Sequence, residues 1–228
     1  MSVMAVERSL SVKAVVHRYH ELPSDPYDLW VHDELSGILD IPHDGTRIEI
    51  IGGEIVVTPG PDIDHGAVVS AIQNAFAVAE AMQPDFPWQC LQAVDLNLGD
   101  IHDGYIPDLC VLDQDILRQA RVQGLKKLLP HHLAFTVEVT SPSNASEDRQ
   151  PGPRRFRPSK WNGYARAGIG HYLIVDRDPK VASATLYTEP DRESGSYRVS
   201  ASWKFGETIQ LPEPFGVSIR TDEWMPWE

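Results

Sequence analysis

The sequence predicts an α/β fold: a mixed β-sheet flanked by helices, with a β-hairpin near the N-terminus and a strand-rich C-terminal part. Three observations predict it. Two β-rich runs, Ile48–Ile51 and Glu54–Val57, flank Gly52-Gly53, and a two-residue primed turn needs the positive φ that glycine adopts at little cost. The order hairpin, helix, strand, strand, strand, helix, strand then puts helices on both sides of one sheet rather than in a simple βα alternation. Third, HYLIVD (171–176) is a nearly continuous apolar run, the pattern of a strand buried on both faces.

The elements follow in order. Residues 1–25 carry no sustained period and read as an irregular N-terminal arm; 26–228 read as one domain, because no linker or repeat divides them. PYDLWVHDELSGILD (26–40) sets Leu29, Trp30, Leu35, Ile38 and Leu39 roughly on one face and predicts a short helix. Pro59-Gly60-Pro61 ends the hairpin. A helix starts near Asp64 or His65, capped by Asp62 or Asp64, with Val68, Ile72, Phe76 and Ala79 on one face and Pro84 beyond its end. Residues 88–98 alternate as a strand, Tyr105–Leu112 form a second around Pro107-Asp108, and 114–129 look helical. Leu133–Val139 is a third strand, with His131-His132 at its start. Residues 144–159, rich in Pro, Ser and Arg, read as a loop. A helix over 160–167 ends at Gly168, a C′ glycine. ATLYTE, SYRVSASWKF and ETIQL are strand-like, and GVSIR is a last short strand.

Composition narrows the function. Hydrophobic residues at 42% of 228 exclude a wholly disordered chain. No apolar run reaches the roughly 18 residues of a spanning helix, and Glu7, Arg8 and Lys13 interrupt the apolar stretches of the first twenty residues, unlike a secretory signal. Two cysteines are too few for a disulfide framework, so a cytoplasmic location is expected. The net charge of −13 argues against nonspecific coating of nucleic acid. Yet 144–166 holds six basic residues against two acidic ones, a local +4, which suits either a solvated loop or a phosphate ligand met at one place.

The chemistry centres on Asp108 and Glu138. Each lies in an apolar strand, where a carboxylate is costly to desolvate unless a cation, hydrogen bonds or a proton compensates it. On neighbouring strands the two would make a hard-oxygen site suited to Mg²⁺ or Mn²⁺. Walker and Rossmann glycine motifs, CxxC pairs and a nucleophile elbow around Ser141 are absent from the sequence.

Pro107-Asp108, with Glu138-Val-Thr thirty residues on, resembles the PD-(D/E)XK nuclease core. RIEIIGGEIVV, His65 opening a helix, IPDLCVL, VEVTSPS, Asp148-Arg149 and KWNGYARAGIGHYLIVD together resemble the Uma-type family of restriction-endonuclease-like proteins over about residues 44–178. The resemblance implies a restriction-endonuclease-like fold and metal-dependent hydrolysis of DNA phosphodiester bonds. It implies Asp108 and Glu138 as ligands of Mg²⁺ or Mn²⁺ and Lys160 as the catalytic lysine, since Thr140 stands where the simple motif has lysine. The lysine follows Asp148 by twelve residues where the family usually has about four. Counting back from HYLIVD leaves Lys160 in the family's place, with the extra residues bulging outward.

His65 is a hydrogen-bond partner or base for the site, or an exposed histidine. Glu49 and Glu54 match family positions; either could face the site, although hairpin glutamates more often face solvent. Arg149, Arg154, Arg155 and Arg157 are candidate contacts to a DNA backbone. A homodimer is expected, with the segment after Ala182, including Trp203 and Phe205, as its apolar surface. The alternative to an endonuclease is a catalytically silent member of the same fold, serving as a binding or assembly module.

Overall fold

In the computed structural model, residues 22–41, 44–153 and 157–228 are described. In chain order the elements are α1 (Pro26–Val31), α2 (Leu35–Ile38), β1 (Arg47–Ile51), β2 (Glu54–Thr58), α3 (Ile63–Met82), β3 (Trp88–Gln92), β4 (Leu96–Leu98), β5 (Asp103–Tyr105) and β6 (Leu109–Asp113). There follow α4 (Gln114–Val122), β7 (Phe135–Val139), α5 (Ala145–Asp148), α6 (Lys160–Ala167), β8 (His171–Asp176), β9 (Ser183–Asp191), β10 (Ser196–Lys204), β11 (Ile209–Gln210) and β12 (Ser218–Ile219). Most of the expected arm, residues 1–21, lies outside the described residues.

A six-stranded mixed sheet runs β10-β9-β8-β7-β6-β3, and a four-stranded sheet runs β2-β1-β5-β4. Only β7 and β8 pair in parallel within the larger sheet. Alternation on β7 separates two layers. Phe135, Val137 and Val139 pack with Val68, Ile72 and Phe76 of α3 and with Phe215 and Ile219 beyond it. On the other face, Tyr164 and Trp161 of α6 join Tyr172, Ile174 and the smaller sheet in a second core. Full burial of each such side chain contributes about 1.5–3 kcal/mol, so both faces of the central strands are strongly fixed. Glu138 shares the α6 side of β7 and is therefore buried by its register, not by chance placement.

The hairpin turn forms as expected, with Gly52 and Gly53 at φ +61° and +77°. Asp103 accepts hydrogen bonds from both their amides at 3.0 Å, and from the Tyr105 hydroxyl at 2.7 Å. This ties the hairpin to β5, where Ile50 pairs with Gly104, and sets which way Glu49 points.

Several boundaries differ from the sequence reading. The helix expected over 26–40 is two short helices, broken at Asp33, whose φ is +61°. Residues 88–98 form two strands belonging to different sheets, because Ala93 at φ +50° turns the chain between them. The strand expected through 105–112 stops at Tyr105 and restarts at Leu109, since Pro107 has no amide to continue a ladder. The helix from 114 ends at Val122 rather than 129, just before Gly124. His131 and His132 belong to a 3₁₀ turn before β7. Within 144–159, residues Ala145–Asp148 form a helical turn. Trp203 and Phe205 are half-buried and pack partly against the main core, with Phe205 edge-on to Trp224.

Candidate active site

Pro107 and Asp108 create the first feature of the site. Where the chain leaves the β5 ladder, the Asp108 carboxylate substitutes for a backbone acceptor: its Oδ2 takes the amide of Val139 at 2.8 Å. That bond sets Asp108 beside the end of β7, next to Glu138. Its Oδ1 meets Arg47 Nη1 of β1 at 2.6 Å. His65 Nε2, in the first turn of α3, lies 3.0 Å from the same oxygen, although the ring is not aligned for a hydrogen bond. Burial opposes the charged form, but His65, Arg47 and the Val139 amide outweigh it and hold the Asp108 carboxyl down at about 2.

The start of α3 is held in register for this contact. Asp62 is the N-cap and accepts from the His65 amide at 2.6 Å. Arg177, fully buried just after β8, reaches Asp62 at 3.0 Å while its own amide donates to Thr140 Oγ1. One arginine thus fastens the helix start to the ends of β7 and β8.

Lys160 and Tyr164 approach from α6. They are four residues apart and so share one helix face. Both reach Oε1 of Glu138: the ammonium at 3.0 Å, and the tyrosine hydroxyl as a hydrogen-bond donor. Ser159 at the N-cap donates its amide to Asn162 Oδ1 at 3.1 Å, and Trp161 packs edge-on to Tyr187 and Tyr197 at 5.8 Å. These contacts anchor the helix and hold the lysine toward Glu138. The Lys160 ammonium also stands 2.7 Å from Glu49 Oε1, the atom that accepts the Ile106 amide at 2.7 Å. Glu49 is therefore buried and faces the site, against the general tendency of hairpin glutamates, whereas Glu54 is exposed and pairs with Arg157.

The structure thus brings Glu49, His65, Asp108, Glu138 and Lys160 together. The loop arginines are placed differently. Arg149 is a bidentate partner of Asp176 at 2.6 Å and also reaches Asp178. Arg157 meets Glu54 at 2.8 Å and Glu147 at 4.0 Å. Arg154 and Arg155 lie outside the described residues.

Three residues join the cluster without having been assigned to it from sequence. Arg47 is the first, and its signal was its alternation with Glu49 on β1. Tyr164 is the second, signalled by the four-residue spacing from Lys160. Asp148 is the third: it is fully buried, neither of its oxygens accepts a hydrogen bond, and Lys160 Nζ stands 3.8 Å from Oδ1. Burial pushes the Asp148 carboxyl well up. Burial likewise pushes Glu138 up to about 7, despite the opposing pull of Lys160, with Asp108 and Glu49 adding to the rise.

Four carboxylates therefore surround one ammonium and one guanidinium. Their oxygens are donors of the type a hard divalent cation takes, and neither oxygen of the buried Asp148 accepts a hydrogen bond. As the side chains stand, no three acidic, histidine or cysteine groups among the described residues converge on one metal position; Lys160 holds the centre. In kind the oxygens of Glu49, Asp108 and Glu138 suit a hard cation, but as placed they pair with Lys160 and Arg47 instead.

No curated protein sequence matches the chain. A crystal structure described as "a putative nuclease belonging to DUF820" from Anabaena variabilis shares the fold, with a TM-score of 0.53 at 15% identity over 80% of this chain and 90% of that one. Residues 35–222, which include every side chain of the cluster, match the family described as "Uma2: Putative restriction endonuclease". The chain belongs to the Uma2 family.

Proposed function

We propose that the protein is a divalent-metal-dependent endonuclease that hydrolyses DNA phosphodiester bonds, with Mg²⁺ or Mn²⁺ held by Asp108, Glu138 and Glu49. The observation that carries the reading is the Lys160 ammonium lodged 2.7 Å from Glu49 and 3.0 Å from Glu138 in a buried cluster otherwise rich in negative charge. A bound cation would polarise a phosphoryl oxygen and lower the pKa of a water.

The chain's own groups have separable tasks. Lys160 supplies a positioned charge toward the oxygens that become more negative as water bonds to phosphorus and the bond to the leaving sugar oxygen breaks. Tyr164 fixes the rotamer of Glu138. His65 and Arg47 orient Asp108 and keep it ionised. In this reading, Arg149, whose side chain is 34% exposed, contacts a DNA backbone through its exposed part.

A second reading is favoured by one observation: Lys160 and Arg47 themselves pair with Glu49, Glu138 and Asp108, as would suit a silent binding or assembly module. Incubation of purified protein with labelled DNA in Mn²⁺, Mg²⁺ or EDTA separates the two. The endonuclease reading expects strand cleavage in the divalent metals alone; intact DNA under all three conditions, with a folded protein, supports the module.

A further inference from the structure

This inference rests on the nuclease reading and concerns the form of DNA that reaches the site. The acidic groups are nearly closed off, with Glu49, Asp108 and Glu138 at 3%, 2% and 1% exposure. Beside them opens a cavity of about 280 Å³. Arg47 and His65, the two residues that contact Asp108 Oδ1, line it, and its rim is formed by Pro59–Pro61 and Ser141–Asn144. The second rim loop is stapled to itself: the Ser141 amide donates to Asn144 Oδ1 at 2.7 Å, and the Ser141 and Ser143 hydroxyls are 2.9 Å apart. Arg47 also lines a second cavity of about 330 Å³ beside Trp30 and Ile106. Arg47 is the residue common to both linings, and its side chain retains 19% exposure while bound to Asp108.

Each cavity is at the small end of ligand sites, about 300–1,000 Å³, and so offers room for one nucleotide. The phosphates of a duplex lie on the outside of a broad, stiff cylinder, whereas the carboxylates beside these cavities are only 1–3% exposed. A single strand can turn one phosphodiester inward and leave its neighbours outside. Enzymes that act on a buried nucleotide group solve the same steric problem by taking unpaired substrate or by extruding the nucleotide. A guanidinium at the meeting of two such spaces is suited to a phosphate, because its planar fork can hold an anion and Asp108 together.

We infer that the substrate is single-stranded or locally unpaired DNA, with the two cavities receiving successive nucleotides and Arg47 contacting the phosphate between them.

The test is fluorescence anisotropy with a labelled oligonucleotide, single-stranded or as a blunt duplex, in Ca²⁺ and in EDTA. The wild-type protein is compared with Arg47→Ala, Arg47→Lys and Ser143→Trp. The single strand should bind at least about tenfold more tightly than the duplex. Arg47→Ala should weaken it by about tenfold or more, as expected for a charged hydrogen bond, with partial recovery in Arg47→Lys. Ser143→Trp fills the rim without altering the Arg47–Asp108 pair, so it keeps the test readable if Arg47→Ala fails to fold. Equal affinity for duplex, no binding of either form, or wild-type affinity in the folded variants would overturn the inference. Cleavage in Mn²⁺, measured on both forms, separates the two claims. Equal cleavage of duplex and single strand rejects the substrate class while sparing the nuclease. Selective single-strand binding without cleavage rejects the nuclease while sparing the substrate class.

Discussion

Lys160 Nζ stands 2.7 Å from Oε1 of Glu49, joining a helix to a hairpin 111 residues earlier in the chain. The same ammonium meets Glu138 at 3.0 Å. The lysine is therefore both the charge expected to act on a phosphate and the cation that allows neighbouring carboxylates to be buried together.

Lys160→Met separates these roles by pH. Removing one partner of a buried ion pair costs about 3–5 kcal/mol. The loss should be largest near pH 8, where Glu138 is ionised, and smaller near pH 5, where Glu138 can take a proton. Cleavage should fall by about 10²-fold or more while cation binding, read by thermal melting, persists. A variant that melts like wild type at both pH values would contradict this placement of the lysine.

The carboxylates predict the pH profile of the metal-free protein. Glu138 has its folded pKa raised from 4.5 to about 7, so between those values the folded state holds a proton that the unfolded chain has released. Its contribution thus falls as pH rises through that window, and Asp148 acts in the same direction. Asp108, lowered from 3.8 to about 2, contributes stability above pH 4 that is lost as pH falls toward 2. His132 and His171, both held below the usual histidine value by burial, act the other way between pH 5 and 7. The readout in EDTA is therefore the difference from wild type: Glu138→Gln should make any decline in melting temperature over that range shallower. A steeper decline in the variant would refute the assignment.

Gly163 sits where α6 crosses Tyr105, and a Cβ there would lie 1.9 Å from the tyrosine hydroxyl. Tyr105 is fully buried and bonded to Asp103, so it cannot simply swing aside. Gly163→Ala should cost about 1–3 kcal/mol from overpacking and reduce cleavage by shifting Lys160. Denaturant unfolding measures the first effect; wild-type stability would show that the two elements separate freely.

The homodimer remains a prediction. Besides the half-buried Trp203 and Phe205, β10 leaves one edge of the six-stranded sheet without a partner among the described residues and exposes Val199. Antiparallel pairing of two β10 edges would close it. Light scattering at micromolar concentration should give twice the chain mass; a monomer would count against it.

The residues most legible in the sequence were those whose chemistry conflicts with their surroundings. Asp108 and Glu138 stood out as charges within apolar strands, and Lys160 could be placed by counting back from HYLIVD. The hairpin was legible because Gly52-Gly53 has few other uses. Charge alone could not place Arg149: its partners, Asp176 and Asp178, come into reach only when β8 lies beside the loop. The breaks at Asp33 and Ala93 depend on positive φ at residues that usually avoid it, which no local pattern signals. Asp148 was visible only as a motif position, because its isolation from hydrogen-bond donors is a property of the packed core.

The most direct test of the central claim is divalent-dependent DNA cleavage by wild type, Asp108→Asn and Glu138→Gln, each verified as folded by its melting transition. Both substitutions keep shape and remove ligand charge. The account predicts cleavage by wild type in Mn²⁺ or Mg²⁺ and its loss in both variants; undiminished cleavage in both would contradict it.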